Sequence, residues 1–95
     1  MYSVIIPTLW KQNTDLFKEV LVDLGSIDDV KEIILIDNDP AFDSNIKQEV
    51  LNTTSKLIHL QMQENIFVNP AWNLGVKHST QPYLVILNLM MLTKT

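Results

Sequence analysis

Two carboxylates and a carboxamide follow an apolar run near the middle of the chain. Residues 33–36 read Ile-Ile-Leu-Ile and lead directly into Asp37, Asn38 and Asp39. Such a run is typical of a buried parallel strand, and α/β proteins bind ligands outside the carboxyl ends of these strands. A carboxylate at that place can accept hydrogen bonds from a ribose hydroxyl or a base N–H. The same residues could instead cap a turn, as Asp and Asn often do.

Three other segments repeat the pattern of an apolar strand followed by polar or turn-forming residues. They are residues 4–6 before Pro7 and Thr8, residues 57–60 before Glu64 and Asn65, and residues 83–87 before Asn88. The carboxyl ends of parallel strands meet at one edge of a sheet, so the four tails are expected to share one crevice. This convergence is the main functional prediction from the residues themselves.

Asparagines recur around the third predicted helix, at Asn65, Asn69 and Asn73. The pair Asn69-Pro70 predicts a helix start, because asparagine caps free N–H groups and proline at the first helical position has none to leave unpaired. Asn73 then lies one turn inside the helix, where asparagine is a poor helix former, and is the better binding candidate. A helix amino end at the crevice would attract a phosphate.

The remaining candidate side chains have simpler interpretations. His59 stands alone in a strand and is interpreted as a surface or packing residue, and no pair of residues has the spacing of metal ligands. Trp10 and Trp72 are predicted to pack in the core or at an interface.

Apolar periodicity predicts the helices that must position these residues. The first helix follows an N-cap at Thr14 and ends just before Gly25, and its apolar face consists of Leu16, Phe17, Val20, Leu21 and Leu24. The second covers 44–52 and buries Ile46, Val50 and Leu51. The third covers 69–78 and buries Ala71, Leu74 and a close-packed Gly75.

Strands alternate with these helices along the whole chain, and Pro7 is predicted to stop the first strand because it cannot donate to a ladder. The alternation predicts an α/β fold, a Rossmann-like three-layer sandwich in which helices flank a mostly parallel sheet. Residues 1–95 are expected to form a single domain.

Composition excludes several classes of function. The chain has 95 residues, 46% of them hydrophobic, with no cysteine for disulfides or thiolate metal sites. Its net charge is −4 and its seven basic residues are scattered lysines, so nucleic acid is not an expected partner. No apolar run approaches the roughly twenty residues of a membrane span, and we expect a cytoplasmic protein.

Three blocks of sequence together carry a family resemblance. They are Ser-Val-Ile-Ile-Pro-Thr at 3–8, Val-Lys-Glu-Ile-Ile-Leu-Ile-Asp-Asn at 30–38, and Glu-Asn-Ile at 64–66 followed by Ala-Trp-Asn-Leu-Gly-Val-Lys-His at 71–78. In order and spacing, from residue 2 to about residue 88, the chain resembles the amino-terminal half of the family 2 inverting glycosyltransferases, which have the GT-A fold. It would then be a truncated GT-A domain.

The resemblance implies a site for a nucleotide sugar, usually a uridine diphosphate sugar. In that site the base would be bordered by Pro7, Thr8 and Leu9. Asp37 would hold the base or the ribose. Asn38, Asn65 and Asn73 would complete the nucleotide-binding set. The family transfers the sugar to an acceptor hydroxyl with inversion, but its catalytic base lies in the second half, so no residue here is assigned as catalytic.

The chain departs from the family at the end of the fourth strand, where an Asp-x-Asp cluster holds the divalent metal. Here that place reads Asn88-Leu89-Met90. A hard cation such as Mg²⁺ or Mn²⁺ needs oxygen ligands, and two apolar side chains supply none. The chain has no arginine to meet a diphosphate's charge, and Trp72 stands where relatives often carry a basic residue.

The apolar run over 84–92, broken only by Asn88, would form a strand with no later element to cover it. Unpaired apolar edges invite association, so we expect a homo-oligomer, most simply a homodimer, through residues 83–92. This feature also suits an alternative function, a non-catalytic oligomerising or binding module that kept the GT-A fold. A dinucleotide-binding unit is disfavoured because no Gly-x-Gly-x-x-Gly follows a strand.

Overall fold

A computed structural model of the chain describes residues 1–10, 14–40 and 44–89. Its elements in chain order are β1 (Tyr2–Thr8), α1 (Thr14–Gly25), β2 (Val30–Asp37), α2 (Ser44–Leu51), β3 (Leu57–Gln61), α3 (Val68–His78) and β4 (Tyr83–Ile86). The four strands form one parallel sheet in the order β3-β2-β1-β4. The predicted α/β fold with flanking helices is confirmed.

Alternate residues of the central strand β2 face two different helical layers. Ile33 and Leu35 pack in the layer of α1 and α2, with Phe17, Leu21 and Val50. Ile34 and Ile36 pack in the layer of α3, with Ala71 and Leu74. Because both faces are covered, β2 shows a continuous apolar run instead of alternating polar and apolar residues.

Strand β1 continues through Pro7, so the prediction that this proline ends the strand is wrong. Leu87 N donates to Ile5 O at 3.0 Å, and Leu89 N donates to Pro7 O at 3.2 Å. A regular parallel ladder would also direct an N–H of residue 7 at the Leu87 carbonyl, and proline has none. The indole Nε1 of Trp72 donates to that carbonyl at 3.3 Å, so a side chain replaces the missing ladder bond.

Helix α3 begins at Val68, one residue before the predicted start, and Asn69 does not cap it. The residue before the helix is Phe67, with φ 67° and ψ −174°, and no side chain bonds to the free N–H groups as a cap. This combination of φ and ψ is one that glycine adopts far more readily than other residues. Asn65 Oδ1 accepts the Phe67 N–H at 2.8 Å and so holds the turn. Pro70 is tolerated because first-turn N–H groups have no intrahelical acceptor.

Two apolar residues predicted to be buried lie at the surface instead. Ile46 of α2 is 39% exposed and Leu16 of α1 is 37% exposed. In α2 the buried stripe contains Lys47, which is 6% exposed, together with Val50. Residues three and four positions apart share a helix face, so Lys47 and Ile46 flank Val50 on its two sides, and the side of Lys47 is the buried one.

Helix α3 comes close to β1 at Gly75, as predicted from the sequence. A Cβ atom added to Gly75 would collide with Cγ2 of Ile5, so only hydrogen fits at this point of contact. None of the described helices is long and apolar enough to cross a membrane.

We expect Gly75→Ala to lower the free energy of unfolding by about 1–3 kcal/mol, because the new methyl group overpacks the contact with Ile5. Urea unfolding followed by circular dichroism measures the change. The matched control is Val76→Ala at the next residue, which is 43% exposed and should change stability by less than about 0.5 kcal/mol. A Gly75→Ala variant as stable as this control would contradict the close contact.

Candidate functional site

The strand ends lie side by side at the carboxyl edge of the sheet. The register places Thr8 beside Asp37, and Asp37 beside Gln61. A single bridge pairs Thr8 with Leu89, which follows β4. The predicted convergence of the strand ends is therefore confirmed for these residues. Among the described residues, this edge forms no enclosed pocket.

The centre of this edge is the Asp37 carboxylate, which has no exposed surface. Its Oδ2 atom lies 2.8 Å from Lys47 Nζ and 2.9 Å from His59 Nε2. Its Oδ1 atom accepts the Asp39 main-chain N–H at 2.9 Å. Both oxygens are thus bonded inside the protein, and a direct contact with a ligand would require one of these bonds to open.

The Lys47 ammonium group joins three parts of the chain. Besides Asp37 Oδ2 it donates to the Asp39 carbonyl and, at 3.0 Å, to Gln61 Oε1. An ammonium group has three N–H donors, so all of them have an acceptor. Nζ also lies 5.8 Å from the ring centroid of Trp10, within the range of a cation–π interaction. Helix α2 is thereby fixed to the ends of β2 and β3.

Burial alone would raise the pKa of Asp37, because it disfavours the charged form. The hydrogen bonds from His59, Lys47, the Asp39 main chain and Trp10 act in the opposite direction and outweigh burial. The pKa of Asp37 is therefore held below its ordinary value. At neutral pH Asp37 is ionised and forms a buried ion pair with Lys47.

Asn38 connects the edge of the sheet to the loop before α3. Its main-chain N–H donates to Thr8 O at 3.0 Å, and its side-chain Oδ1 accepts the Ile66 N–H at 3.0 Å. Asn38 and Thr8 are each 1% exposed. Pro7 is also buried, whereas Leu9 is half-buried.

The other two predicted nucleotide-binding residues lie around α3. Asn65 is half-buried next to Ile66 and holds the Phe67 turn, and Asn73 is exposed on α3. The structure therefore brings Thr8, Asp37 and Asn38 together, with Asn65 attached through the loop. Asn73 lies on a separate helix face.

Sequence reasoning missed Lys47 and gave His59 only a packing role. Lys47 is three residues before Val50 on the buried face of α2, and His59 pairs in register with Leu35, two residues before Asp37. Both side chains therefore point to the same layer as Asp37. A lysine on the apolar face of a helix that follows an acidic strand end was the available signal.

The residues after β4 do not fit a divalent metal. Leu89 is 7% exposed and packs in the apolar core, and it offers no side-chain oxygen. Asn88 could supply one amide oxygen, and Met90 lies outside the described residues. In the part of the chain that the structure describes, no group of three or more His, Asp and Glu side chains is arranged to hold a metal ion. We assign no step to a metal here.

Comparison of the chain with family models and with curated proteins gave no match.

We expect Lys47→Met to destabilise the protein by about 3–5 kcal/mol, because it leaves the buried charge of Asp37 without the Lys47 ammonium group. Adding Asp37→Asn should recover part of this loss. The matched control is Lys18→Met, which breaks an exposed pair with Glu49 at 3.4 Å and should cost at most about 1 kcal/mol. Equal losses in the two lysine variants, measured by urea unfolding, would contradict the buried pair.

The lowered pKa of Asp37 also predicts how stability depends on pH. A carboxylate whose pKa is lower in the folded chain stabilises it fully above the unfolded pKa of about 4. That contribution is lost as the pH falls through the folded value. We expect the free energy of unfolding to drop as the pH is lowered from 5, and to drop less steeply in Asp37→Asn. If the free energy of unfolding fell with pH equally steeply in the wild type and in Asp37→Asn, Asp37 would not be the group responsible.

Proposed function

We propose that this domain binds the nucleotide of a nucleotide sugar at the carboxyl edge of its sheet, as the donor-binding part of a glycosyltransferase-like protein. The observation that supports the proposal is the convergence of Thr8, Asp37 and Asn38 at one edge of a parallel sheet. In open α/β folds this edge is where ligands bind. The blocks that resemble the family 2 glycosyltransferases include the same three residues.

In the proposed reaction the acceptor hydroxyl oxygen attacks the anomeric carbon of the sugar as the bond to the nucleoside diphosphate breaks. One direct displacement inverts the anomeric configuration, and the hydroxyl proton passes to a base. We assign that base to no residue of this chain, so the domain's part is to bind and orient the donor.

The chemistry of the edge suggests separate roles for its residues. Pro7, Thr8 and Leu9 would border the base, and Asn38 and Asn65 would shape the loop around the nucleotide. Asp37 would orient the donor by holding the Asp39 main chain and the β3 end in place, because its own oxygens are already bonded.

Calorimetric titration with uridine diphosphate and other nucleoside diphosphates, with and without Mn²⁺, tests the proposal. We expect binding by the wild-type chain and a loss of about three- to tenfold in Asn65→Ala, because this variant loses the hydrogen bond that holds the loop beside the nucleotide. The matched control is Asn52→Ala, an exposed asparagine just after α2, which should bind like the wild type. No binding at millimolar nucleotide would overturn the proposal.

The exposed edge strand β4 favours a second candidate function, that of an oligomerising module. All four of its residues are apolar and exposed on one face or the other: Tyr83 61%, Leu84 39%, Val85 36% and Ile86 45%. On its outer side, no strand pairs with β4 among the described residues. A second copy could pair its own β4 with this strand about a two-fold axis. The main-chain N–H and C=O groups on the outer side of β4 would then be hydrogen-bonded, and the apolar side chains of the two strands would bury each other. Residues 90–92 of the predicted interface lie outside the described residues.

Sedimentation velocity over a range of concentrations tests this interface. We expect a dimer that Ile86→Lys converts to monomer, because the charge would be buried in the interface. The matched control is Ile58→Lys on β3, the opposite edge strand, where the isoleucine is 39% exposed. A wild-type chain that stays monomeric at every concentration would exclude the β4 interface.

A further inference from the structure

Two buried polar atoms at the carboxyl edge have no hydrogen-bond partner within the described parts of the chain. They are Thr8 Oγ1 and Asp39 Oδ2, in residues that are 1% and 4% exposed. Buried polar groups of native proteins are nearly always paired, and each exception needs an explanation. Ser3 Oγ is also unpaired, but it lies at the other end of β1, beside Glu32.

The two carboxylates of this edge differ in what their oxygens can still accept. Asp37 is occupied by Lys47, His59 and the Asp39 N–H. Asp39 has its main chain held from both sides, since its N–H donates to Asp37 and its carbonyl accepts from Lys47. Its Oδ2 atom is left without a donor. The fold thus fixes the position of Asp39 and leaves one of its carboxylate oxygens able to accept a hydrogen bond.

Thr8 and Asp39 belong to adjacent strand ends. Thr8 O accepts the N–H of Asn38, the residue before Asp39, at 3.0 Å. The residue after Thr8 is the half-buried Leu9, and the residue after Asp39 is the exposed Pro40. Both unpaired oxygens are buried at the same edge of the sheet, each in a residue whose next neighbour along the chain is at least partly exposed.

Charge selects which part of a nucleotide would bind at these atoms. Asp37 and Asp39 place two carboxylates at this edge and Lys47 one ammonium group, so carboxylates outnumber the ammonium group there. A phosphate group would be repelled. A group that donates hydrogen bonds would be attracted, because a carboxylate accepts and a threonine hydroxyl both donates and accepts.

We infer that Asp39, together with Thr8, binds the ribose diol of the nucleotide, and that Asp37 is a positioning residue behind it. The inference rests on the proposed function, because it takes the ligand to be a nucleotide. One ribose hydroxyl donates to Asp39 Oδ2, and the other pairs with Thr8 Oγ1. The diphosphate then extends away from the two carboxylates.

The test compares uridine diphosphate with its 2′,3′-dideoxy analogue on the wild type, Asp39→Asn and Thr8→Val, by calorimetric titration. In the wild type we expect the analogue to bind at least about tenfold more weakly, as for a lost hydrogen bond to a charged group. Asp39→Asn should weaken uridine diphosphate binding and reduce the discrimination between the two ligands to the part that Thr8 contributes. The matched control, Asp29→Asn at an exposed position, should keep the discrimination.

Thermal unfolding of the free proteins gives a second readout. Thr8→Val removes a buried unpaired hydroxyl, so we expect this variant to melt at the same or a higher temperature while losing affinity for uridine diphosphate. A variant that loses both stability and affinity would indicate damage to the fold and would count against the inference.

The outcomes separate the inference from the proposed function. If the wild type binds uridine diphosphate and Asp39→Asn binds it equally well, the ribose site is wrong and the nucleotide site stands. Equal weakening of both ligands in Asp39→Asn would also overturn the diol contact. If the wild type binds no nucleotide, the proposed function fails and the inference fails with it.

Discussion

A buried carboxylate at the end of a central strand is the constraint on which the edge of this sheet depends. Desolvation makes an ionised Asp37 costly, so the fold must bring donors to it from several places in the chain. Lys47 comes from α2, His59 from β3 and the Asp39 N–H from the segment just after β2. Breaking the cluster would remove this attachment of α2 to β2 and the side-chain contact of His59 with β2, while the β2–β3 ladder remains. The chemistry of one residue thus organises the carboxyl edge.

The second constraint is that helices cover β2 and β1 on both faces and leave β4 exposed. Helix α3 lies close enough to β1 to require Gly75, and it covers Ile5 of β1, which is fully buried. No comparable cover reaches Tyr83–Ile86 among the described residues. The same three-layer arrangement leaves two separate surfaces, the carboxyl edge of the sheet and the outer side of β4. The proposed nucleotide site and the proposed interface between copies therefore use different surfaces of one molecule.

The order of elements and the position of Asp37 could be predicted because both are written in local patterns of apolar and polar residues. The predictions were wrong or incomplete where residues elsewhere in the chain, and not the local pattern, decide the structure. Pro7 does not end β1, because the Trp72 indole supplies the missing donor from a different element. The partners of Asp37 were missed because Lys47 and His59 come near it only through tertiary packing. Asn69 failed as a cap because the chain instead places Phe67 in a conformation that glycine usually adopts.

Because the Trp72 indole replaces a ladder bond at the edge strand, the two tryptophans of the chain report by fluorescence on different parts of the fold. Trp10 lies in the α1–α2 layer, 2% exposed and with its ring centroid 4.8 Å from that of Phe17. Trp72 bonds to the main chain just after β4, on the side of α3. Detachment of the edge strand would alter the emission of Trp72 and leave Trp10 in its apolar surroundings. Fluorescence of single-tryptophan variants can therefore distinguish fraying of one sheet edge from collapse of the whole core.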